Sequence, residues 1–395
     1  MKAIKYLFLI LTVALVFSSC VDYSDASEAV TAKVQLQLPD ELNGHMTLEG
    51  HTVSLQLNGV TYSAQTDAAG VATFSNIVPD VYNISTSWDI TSSEYNRITG
   101  SSQVINGATV SGSLNSQLIS GSEPLLLTTT LSVKRDIVIS KIYAAGSKDN
   151  NNKRYVAGQY IELYNQSNDS VDVAGLLETD VPQAYTLENL KTNYADSVVL
   201  VKQVFRIPTD KSYKVAPGGT VLLVNSAIDH SLNSPLEHSL LNANFEAKDV
   251  KGKMLNNPEV PALQNVFNIY SGISYMNILT TGQGVVIFRS SADISQLKLT
   301  YKFGKTSGTQ YGLLPKRYII DGVDFLRHKT TGTDVGEKRL YNDIDAGYIS
   351  INATAGLSGE VIYRKTASTA AGGHSILMDT NNSTNDFQVS TSVTP

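Results

Sequence analysis

Short segments in which apolar and polar residues alternate recur along the chain, and this pattern constrains the fold more than any other feature. Residues 33–38 and 53–57 alternate, and the second segment ends at Asn58-Gly59, the strongest two-residue hairpin signal. Residues 60–65 would form the returning strand. Such alternation is typical of strands with one face in a core and the other in water. It predicts an antiparallel β-sandwich over residues 32–131.

A second series of strand-like segments follows, interrupted by one long stretch without a strand pattern. The segments are residues 137–143, 159–165, 171–176, 215–224, 283–289 and 318–325. Between the fourth and the fifth lies an insertion of roughly residues 226–281, and loops of such length inside a compact domain are usually functional or disordered. The sequence therefore predicts an all-β protein with two consecutive β-sandwich domains. The second, residues 132–395, carries this insertion and an extended C-terminal segment.

The composition is that of a globular protein that must be stabilised by its cores. Hydrophobic residues make up 42% of the chain and charged residues 17%, which does not describe a disordered protein. One cysteine cannot form an internal disulfide. The net charge is −6 and lysine and arginine do not cluster, which argues against nucleic-acid binding through a basic face.

The N-terminus has the features of an export signal. Lys2 and Lys5 precede an apolar run over residues 7–17, which is too short to span a bilayer and is typical of a cleaved signal segment, residues 1–19. Small residues before Cys20 resemble the lipobox of bacterial lipoproteins, in which that cysteine becomes the acylated first residue. The alternative is a plain secretory signal. The resemblance implies a membrane anchor at Cys20, followed by a flexible tether over residues 20–31.

Acidic residues soon after the cysteine resemble the surface-export signals of Bacteroidota lipoproteins. Asp22, Asp25 and Glu28 form this loose match. The resemblance implies a location at the outer membrane, exposed on the cell surface.

The first sandwich resembles the prealbumin-like or carboxypeptidase-regulatory-like fold. The order of its motifs carries the resemblance: an alternating strand, Asp67-x-x-Gly70-x-Ala72-x-Phe74, then a short strand with Pro79 and Tyr82. Asp80 departs from the glycine that usually follows the proline. The resemblance implies a spacer or platform and no particular activity.

The second sandwich resembles a bacterial lamin-tail domain, which is immunoglobulin-like. The matching segments include residues 159–165 (QYIELYN), 171–176 (VDVAGL) and 215–224 (VAPGGTVLLV), whereas Lys141 and Leu176 depart from the pattern. Gly218 and Gly219 fit a tight turn with positive φ. Glu162 is expected to face solvent or to cap a neighbouring loop.

Two groups of residues could ligate metals. In the insertion, His230 and His238, with Asp229 and Glu237 beside them, could bind Zn²⁺, iron or copper, although their spacing fits no known motif and solvated loop residues are the alternative. The second group lies in the C-terminal tail, which resembles segments that follow lamin-tail modules in secreted bacterial proteins. Its oxygen ligands could bind Ca²⁺ or form Asx-turns instead, and they are Asp379, Asn381 and Asp386.

Catalysis finds little support in the sequence. The chain has no H-E-x-x-H, G-x-S-x-G or P-loop motif, and Asp321 and Asp324 are expected on the exposed face of a strand. The sequence therefore predicts a non-catalytic protein without an obligatory cofactor. Resemblance to Bacteroidota lipoproteins implies a ligand-binding accessory of a TonB-dependent nutrient receptor, with iron or another metal as one candidate ligand. The alternatives are a structural or adhesive protein that binds glycan or protein, and a hydrolase with a dispersed acidic site.

Overall fold

The computed structural model describes residues 28–40, 42–99, 107–133, 135–182, 187–195, 197–342 and 344–395. These residues form an all-β protein, as the sequence predicts. Within them, no helix is long and apolar enough to cross a membrane. They fall into two compact units, with the main division between Leu131 and Ser132.

The first unit consists of two sheets around an apolar core, and it departs from the predicted antiparallel sandwich at one pairing, because its first and seventh strands are parallel. Its strands are β1 (Val30–Gln37), β2 (Thr52–Leu57), β3 (Val60–Gln65), β4 (Val71–Ile77), β5 (Asp80–Ile90), β6 (Ala108–Ile119), β7 (Pro124–Thr128) and β8 (Thr130–Val133), with helix α1 (Ser92–Thr99) after β5. One sheet has the order β4-β1-β7 and the other β3-β2-β5-β6-β8. Alternate residues of these strands, such as Val34, Val53 and Ile84, are buried and form the core.

The predicted hairpin at Asn58-Gly59 is confirmed. Leu57 pairs with Val60 across the turn, so two residues connect β2 to β3. Asn58 and Gly59 have φ values of 48° and 83°. Positive φ at both central positions is the conformation that a type I′ hairpin requires, which is why this dipeptide predicts it so well.

The described part of the second unit contains two large sheets, one sheet of three strands and four of two strands. Its first strands are β9 (Ile137–Tyr143), β10 (Ser147–Lys148), β11 (Arg154–Tyr155), β12 (Tyr160–Asn165), β13 (Val171–Asp172), β14 (Leu177–Val181), β15 (Val198–Val201), β16 (Gln203–Arg206), β17 (Lys214–Val215) and β18 (Thr220–Val224). The next are β19 (Phe245–Glu246), β20 (Gln264–Asn268), β21 (Gln283–Phe288), β22 (Leu299–Tyr301), β23 (Gln310–Pro315) and β24 (Ile319–Phe325). The last are β25 (His328–Lys329), β26 (Gly332–Thr333), β27 (Val361–Arg364), β28 (Thr366–Thr369), β29 (Ser375–Leu377) and β30 (Phe387–Ser390). Helix α2 (Leu187–Tyr194) precedes β15, and α3 (Ser383–Asp386) precedes β30.

The two large sheets of this unit pack face to face. Sheet I has the order β19-β18-β12-β9-β27-β30, and sheet II has the order β20-β16-β14-β21-β24. Ile161 and Leu223 of sheet I and Val285 and Phe325 of sheet II belong to the core between them. The opposite face of sheet II is covered by a second core, which includes Phe288. Sheet II is therefore buried on both faces.

The insertion and the C-terminal segment both become parts of these sheets. β19 lies at one edge of sheet I and β20 at one edge of sheet II, and both strands come from the insertion. The tail contributes β27 and β30, the last two strands of sheet I. Both segments therefore complete the sandwich.

Three acidic residues lie elsewhere than the sequence indicated. Asp321 and Asp324, expected on an exposed face, are buried, because sheet II has no exposed face. Glu162, expected to face solvent or to cap a neighbouring loop, is buried on β12 and pairs with Lys141 of the neighbouring strand at 3.0 Å. The Ser140 hydroxyl also donates to it. Each of these carboxylates has a partner that alternation along a single strand cannot reveal.

Candidate functional site

A cleft of about 290 Å³ opens on the surface of the second unit beside the first residues of β18. Its walls come from Val173 after β13, from β17 and the residue before it, from the turn between β17 and β18, and from the starts of β18 and β19. Gly218 has a φ of 73°, as expected for the Pro217-Gly218-Gly219 turn. The turn returns the chain from β17 into β18 and so brings both strands to the cleft.

The floor of the cleft is apolar and carries one partly exposed aromatic ring. Val173, Val221 and Phe245 are buried beneath it. The ring of Tyr213 meets that of Phe245 edge to face, with 5.0 Å between the centroids. Lys211 places its Nζ 5.1 Å from the Tyr213 centroid. The Tyr213 ring therefore has a fixed position before any ligand arrives.

Two aspartates outside the lining hold Tyr213 in this position. Its backbone N–H donates to Asp172 Oδ1 at 2.9 Å, and its hydroxyl donates to Asp210 Oδ1 at 2.8 Å. The pKa of Asp172 is lowered by hydrogen bonds from the Ala174 N–H and the Ser212 hydroxyl, among others. Asp172 is therefore a carboxylate at neutral pH, with its oxygens directed at the chain.

The rim of the cleft carries exposed polar groups that are able to form hydrogen bonds with a ligand. Lys214, Thr220 and Asn244 are exposed and line the opening. Asn244 uses its Oδ1 to accept the Leu222 N–H at 2.7 Å, so its Nδ2 points away from that bond. Within the described residues, the Lys214 Nζ, Thr220 Oγ1 and Asn244 Nδ2 atoms make no hydrogen bond. The lining includes one tyrosine and one lysine and holds no carboxylate, imidazole or thiol.

His230 of the insertion is buried and has both ring nitrogens engaged. Its Nδ1 lies 2.7 Å from the Tyr155 hydroxyl, and its Nε2 lies 2.7 Å from the Ser226 carbonyl. The carbonyl can only accept, so the network assigns the proton to Nε2 and makes Nδ1 the acceptor. Burial lowers the pKa of His230, which keeps the ring neutral. A metal could bind His230 only by displacing one of these partners.

Glu237 is also buried, against residues that the sequence analysis did not single out. Its Oε1 accepts hydrogen bonds from the Tyr143 hydroxyl at 2.7 Å and the Ser147 hydroxyl at 2.6 Å. Its Oε2, the Tyr160 hydroxyl and the His238 Nε2 have no partner in the described part of the chain. Burial raises the pKa of Glu237. These contacts fasten the insertion to sheet I.

The predicted ligands in the tail surround arginines. Arg364 is buried, and its Nη1 lies 3.2 Å from Asp379 and 3.7 Å from Asp386. Arg135 donates to Asn381 Oδ1 at 2.9 Å. Guanidinium groups therefore occupy the position that a cation would take. Among the described residues no group of three or more His, Cys, Asp or Glu side chains is arranged to hold a metal, so both metal predictions gain no support from the geometry.

A buried pair of carboxyl groups on β14 escaped the sequence analysis altogether. Glu178 and Asp180 both lie toward the interior of the sandwich. Burial, together with the charge of Asp180, raises the pKa of Glu178 to about 8. Burial raises that of Asp180 to about 6, against hydrogen bonds from the Tyr270 hydroxyl and the Gln203 N–H. Glu178 lines an apolar slot with Leu163, so at neutral pH it is mainly the uncharged acid.

The predicted anchor lies outside the described residues. The signal segment 1–19, Cys20 and most of the tether, up to residue 27, are not among the residues that the structure describes. The anchor at Cys20 therefore stays a prediction from the sequence.

Comparison with known proteins relates this chain to a family without an assigned activity. No curated protein matches it. The crystal structure of a DUF4876 family protein from Bacteroides thetaiotaomicron is similar, with a TM-score of 0.56 and 21% identity over 91% of this chain and 94% of that one. At that identity the similarity shows the fold alone. Residues 216–394, which include the Thr220 and Asn244 side of the cleft, match the family described as Protein of unknown function (DUF4876).

Proposed function

We propose that this protein is a non-catalytic binding protein, anchored by lipid at Cys20 to the outer membrane and exposed on the cell surface. Its ligand is a small carbohydrate, which binds in the cleft at Tyr213. The single observation that supports this most is the combination of the fixed, partly exposed ring of Tyr213 with unengaged polar groups at the rim. Small-molecule sites in proteins usually have this composition.

The chemistry of the cleft favours a sugar over the metal compound that the sequence left open. A sugar ring has an apolar C–H face, which fits the partly exposed ring of Tyr213, and hydroxyl groups around its edge. Lys214, Thr220 and Asn244 can donate to such hydroxyls, and Thr220 can also accept. The volume of about 290 Å³ is at the lower end for ligand sites, which suits one or two sugar rings.

The role of an accessory follows from this binding site and the proposed anchor. A lipoprotein that captures a sugar at the cell surface would deliver it to a TonB-dependent receptor in the same membrane. An adhesive protein that binds the end of a longer glycan would use the same cleft. The two roles differ in the ligand: a free oligosaccharide that competes fully with the polymer favours capture, and tight binding to the polymer alone favours adhesion.

A glycan array followed by calorimetry tests the binding site directly, with the chain lacking residues 1–20. We expect a hit whose affinity falls at least about tenfold in Lys214→Ala and in Tyr213→Ala, because these remove a donor and the fixed ring. Lys305→Ala and Tyr62→Ala are matched controls, since both side chains are exposed and distant from the cleft in sequence. Within the described residues the Lys214 side chain makes no hydrogen bond or ion pair, so Lys214→Ala should leave the fold intact. The proposal fails if no glycan binds or if both cleft variants bind like the controls.

A further inference from the structure

The insertion carries a second surface feature, a tight loop over residues 249–255 that we call the Asp249 loop. Val250 is 79% exposed and Leu255 is 70% exposed, among the highest values for large apolar side chains in the described residues. Exposure this high requires that a side chain project from a convex surface. The Asp249 loop is therefore a protrusion with apolar tips, and burying such tips in an apolar phase is favourable.

Buried Asp249 gives this loop a fixed shape. Its carboxylate accepts hydrogen bonds from the backbone N–H groups of Lys251 at 3.0 Å and Met254 at 2.9 Å, and also from that of Lys253. The Ser274 hydroxyl donates to the same carboxylate. A loop that is already ordered loses little conformational entropy when it binds.

Charge distinguishes the loop from the rest of the chain. The protein as a whole has a net charge of −6, yet residues 249–255 contain two lysines and one aspartate. Lys251 and Lys253 are both exposed and lie between Val250 and Leu255 in the sequence, and the Lys253 Nζ donates to the Gly272 carbonyl at 2.7 Å. The carboxylate of Asp249 is directed inward at the backbone. The exposed surface of the loop is therefore apolar and basic.

We propose that the Asp249 loop is a membrane-contacting element, which inserts Val250 and Leu255 into the interfacial region of a bilayer while Lys251 and Lys253 meet anionic headgroups. Paired apolar and basic groups are the combination with which peripheral proteins bind anionic bilayers. A convex tip fits a soft lipid phase, whereas a protein partner would need a matching concave surface. Lipid attachment by a single element is weak, and a second contact of this kind would orient the protein on the membrane.

Sedimentation with vesicles tests this proposal independently of the cleft and of the lipid anchor. The chain lacking residues 1–20 is mixed with vesicles of phosphatidylethanolamine that contain about a quarter of phosphatidylglycerol, or with phosphatidylcholine vesicles. We expect binding to the anionic vesicles that weakens with added salt. The double variant Val250→Ser with Leu255→Ser should bind at least about tenfold more weakly. Lys251→Gln and Lys253→Gln should each weaken binding about fivefold.

The control is the double variant Val60→Ser with Leu118→Ser, which removes a valine and a leucine that are 53% and 64% exposed in the first unit. It should sediment like the unmodified chain. Absence of binding to the anionic vesicles overturns the proposal, and so does an equal loss in the control and in the loop variant. Equal binding to both kinds of vesicle would contradict the role of the lysines. Glycan affinity at the cleft should be the same in all these variants, so failure of one proposal is distinguishable from failure of the other.

Discussion

The two units of this protein differ in the kind of polar side chain that they bury. In the described part of the first unit, the buried polar side chains are three threonines, Thr66, Thr86 and Thr129. The described part of the second unit buries thirteen acidic and arginine side chains, of which Asp321 and Arg364 form one pair. Because an unpaired buried charge is strongly destabilising, the second unit depends on long-range pairing that the first does not need.

This difference in buried polar side chains reflects how each unit fixes the segments that connect its strands. In the first unit, short turns join β2 to β3 and β4 to β5, and the longer connection over residues 38–51 is held by neutral groups such as the Thr66 hydroxyl, which donates to the Leu48 carbonyl. In the second, long segments return to the sandwich and are fastened by buried carboxylates. Asp249 holds its loop, Glu237 holds the insertion and Glu360 accepts the Asn352 and Ala353 N–H groups. The second unit, which has long segments between its strands, thus uses buried charges to hold them, whereas the first unit uses apolar side chains and turns.

The largest effect should come from removing the charge of Arg364. Arg364→Met keeps much of the side-chain volume but leaves Asp321, Asp379 and Asp386 without their shared partner. We expect the free energy of unfolding to fall by about 3–5 kcal/mol, measured by chemical denaturation. Arg206→Met is the control, since that arginine is only partly buried and makes a hydrogen bond to an amide. Similar small losses in both variants would mean that the buried cluster does not stabilise the unit.

The next effect should be a pH dependence that originates at Glu178. Its pKa is about 8 in the folded protein against 4.5 for the ordinary group, so the folded state binds more protons between these values. Stability from this group is therefore present at low pH and is lost as the pH rises through about 8. Between pH 5 and pH 8 the loss is on the order of 3 kcal/mol.

Glu178→Gln tests this sign, because glutamine does not titrate. The free energy of unfolding of the unmodified chain should fall as the pH rises from 5 to 8. We expect most of this fall to be absent in the variant. Denaturant titrations at several pH values measure it, with Glu259→Gln as a control on an exposed glutamate. If Glu178→Gln and the unmodified chain show parallel pH profiles, Glu178 is ionised in the folded state.

Sequence reasoning succeeded where a single segment determines the structure. Alternation identified the strands around Val34 and Val53, and Asn58-Gly59 identified the hairpin, because the pattern and the turn are local. It failed for Asp321, whose partner Arg364 is 43 residues away. Alternation was also misleading on sheet II, since a sheet with two covered faces has no solvent side for a polar residue.

The candidate site, too, depends on residues that are distant in sequence and could not be predicted from one segment. Val215, Thr220 and Val221 lie in a segment that the sequence identified as a strand, yet nothing in that segment indicates a cleft. The opposite side comes from Asn244 and Phe245 in the insertion, which reach β18 by hydrogen bonds to Leu222 and by strand pairing. Only the fold brings the two sides together, so no motif of fixed spacing could have revealed them.

The smallest predicted effect returns to the first unit and concerns its hairpin. Gly59 has a φ of 83°, and a Cβ atom there would meet nothing within 4 Å, so Gly59→Ala strains the backbone without any clash. We expect a loss of about 1 kcal/mol in the free energy of unfolding. Gly121→Ala is the matched control, because that glycine also has open space around it but no positive φ, and it should change stability by less than about 0.5 kcal/mol. Equal effects at both positions would contradict the role of turn geometry. A loss at Gly59 as large as that in Arg364→Met would remove the contrast between a unit held by local turns and one held by buried charges.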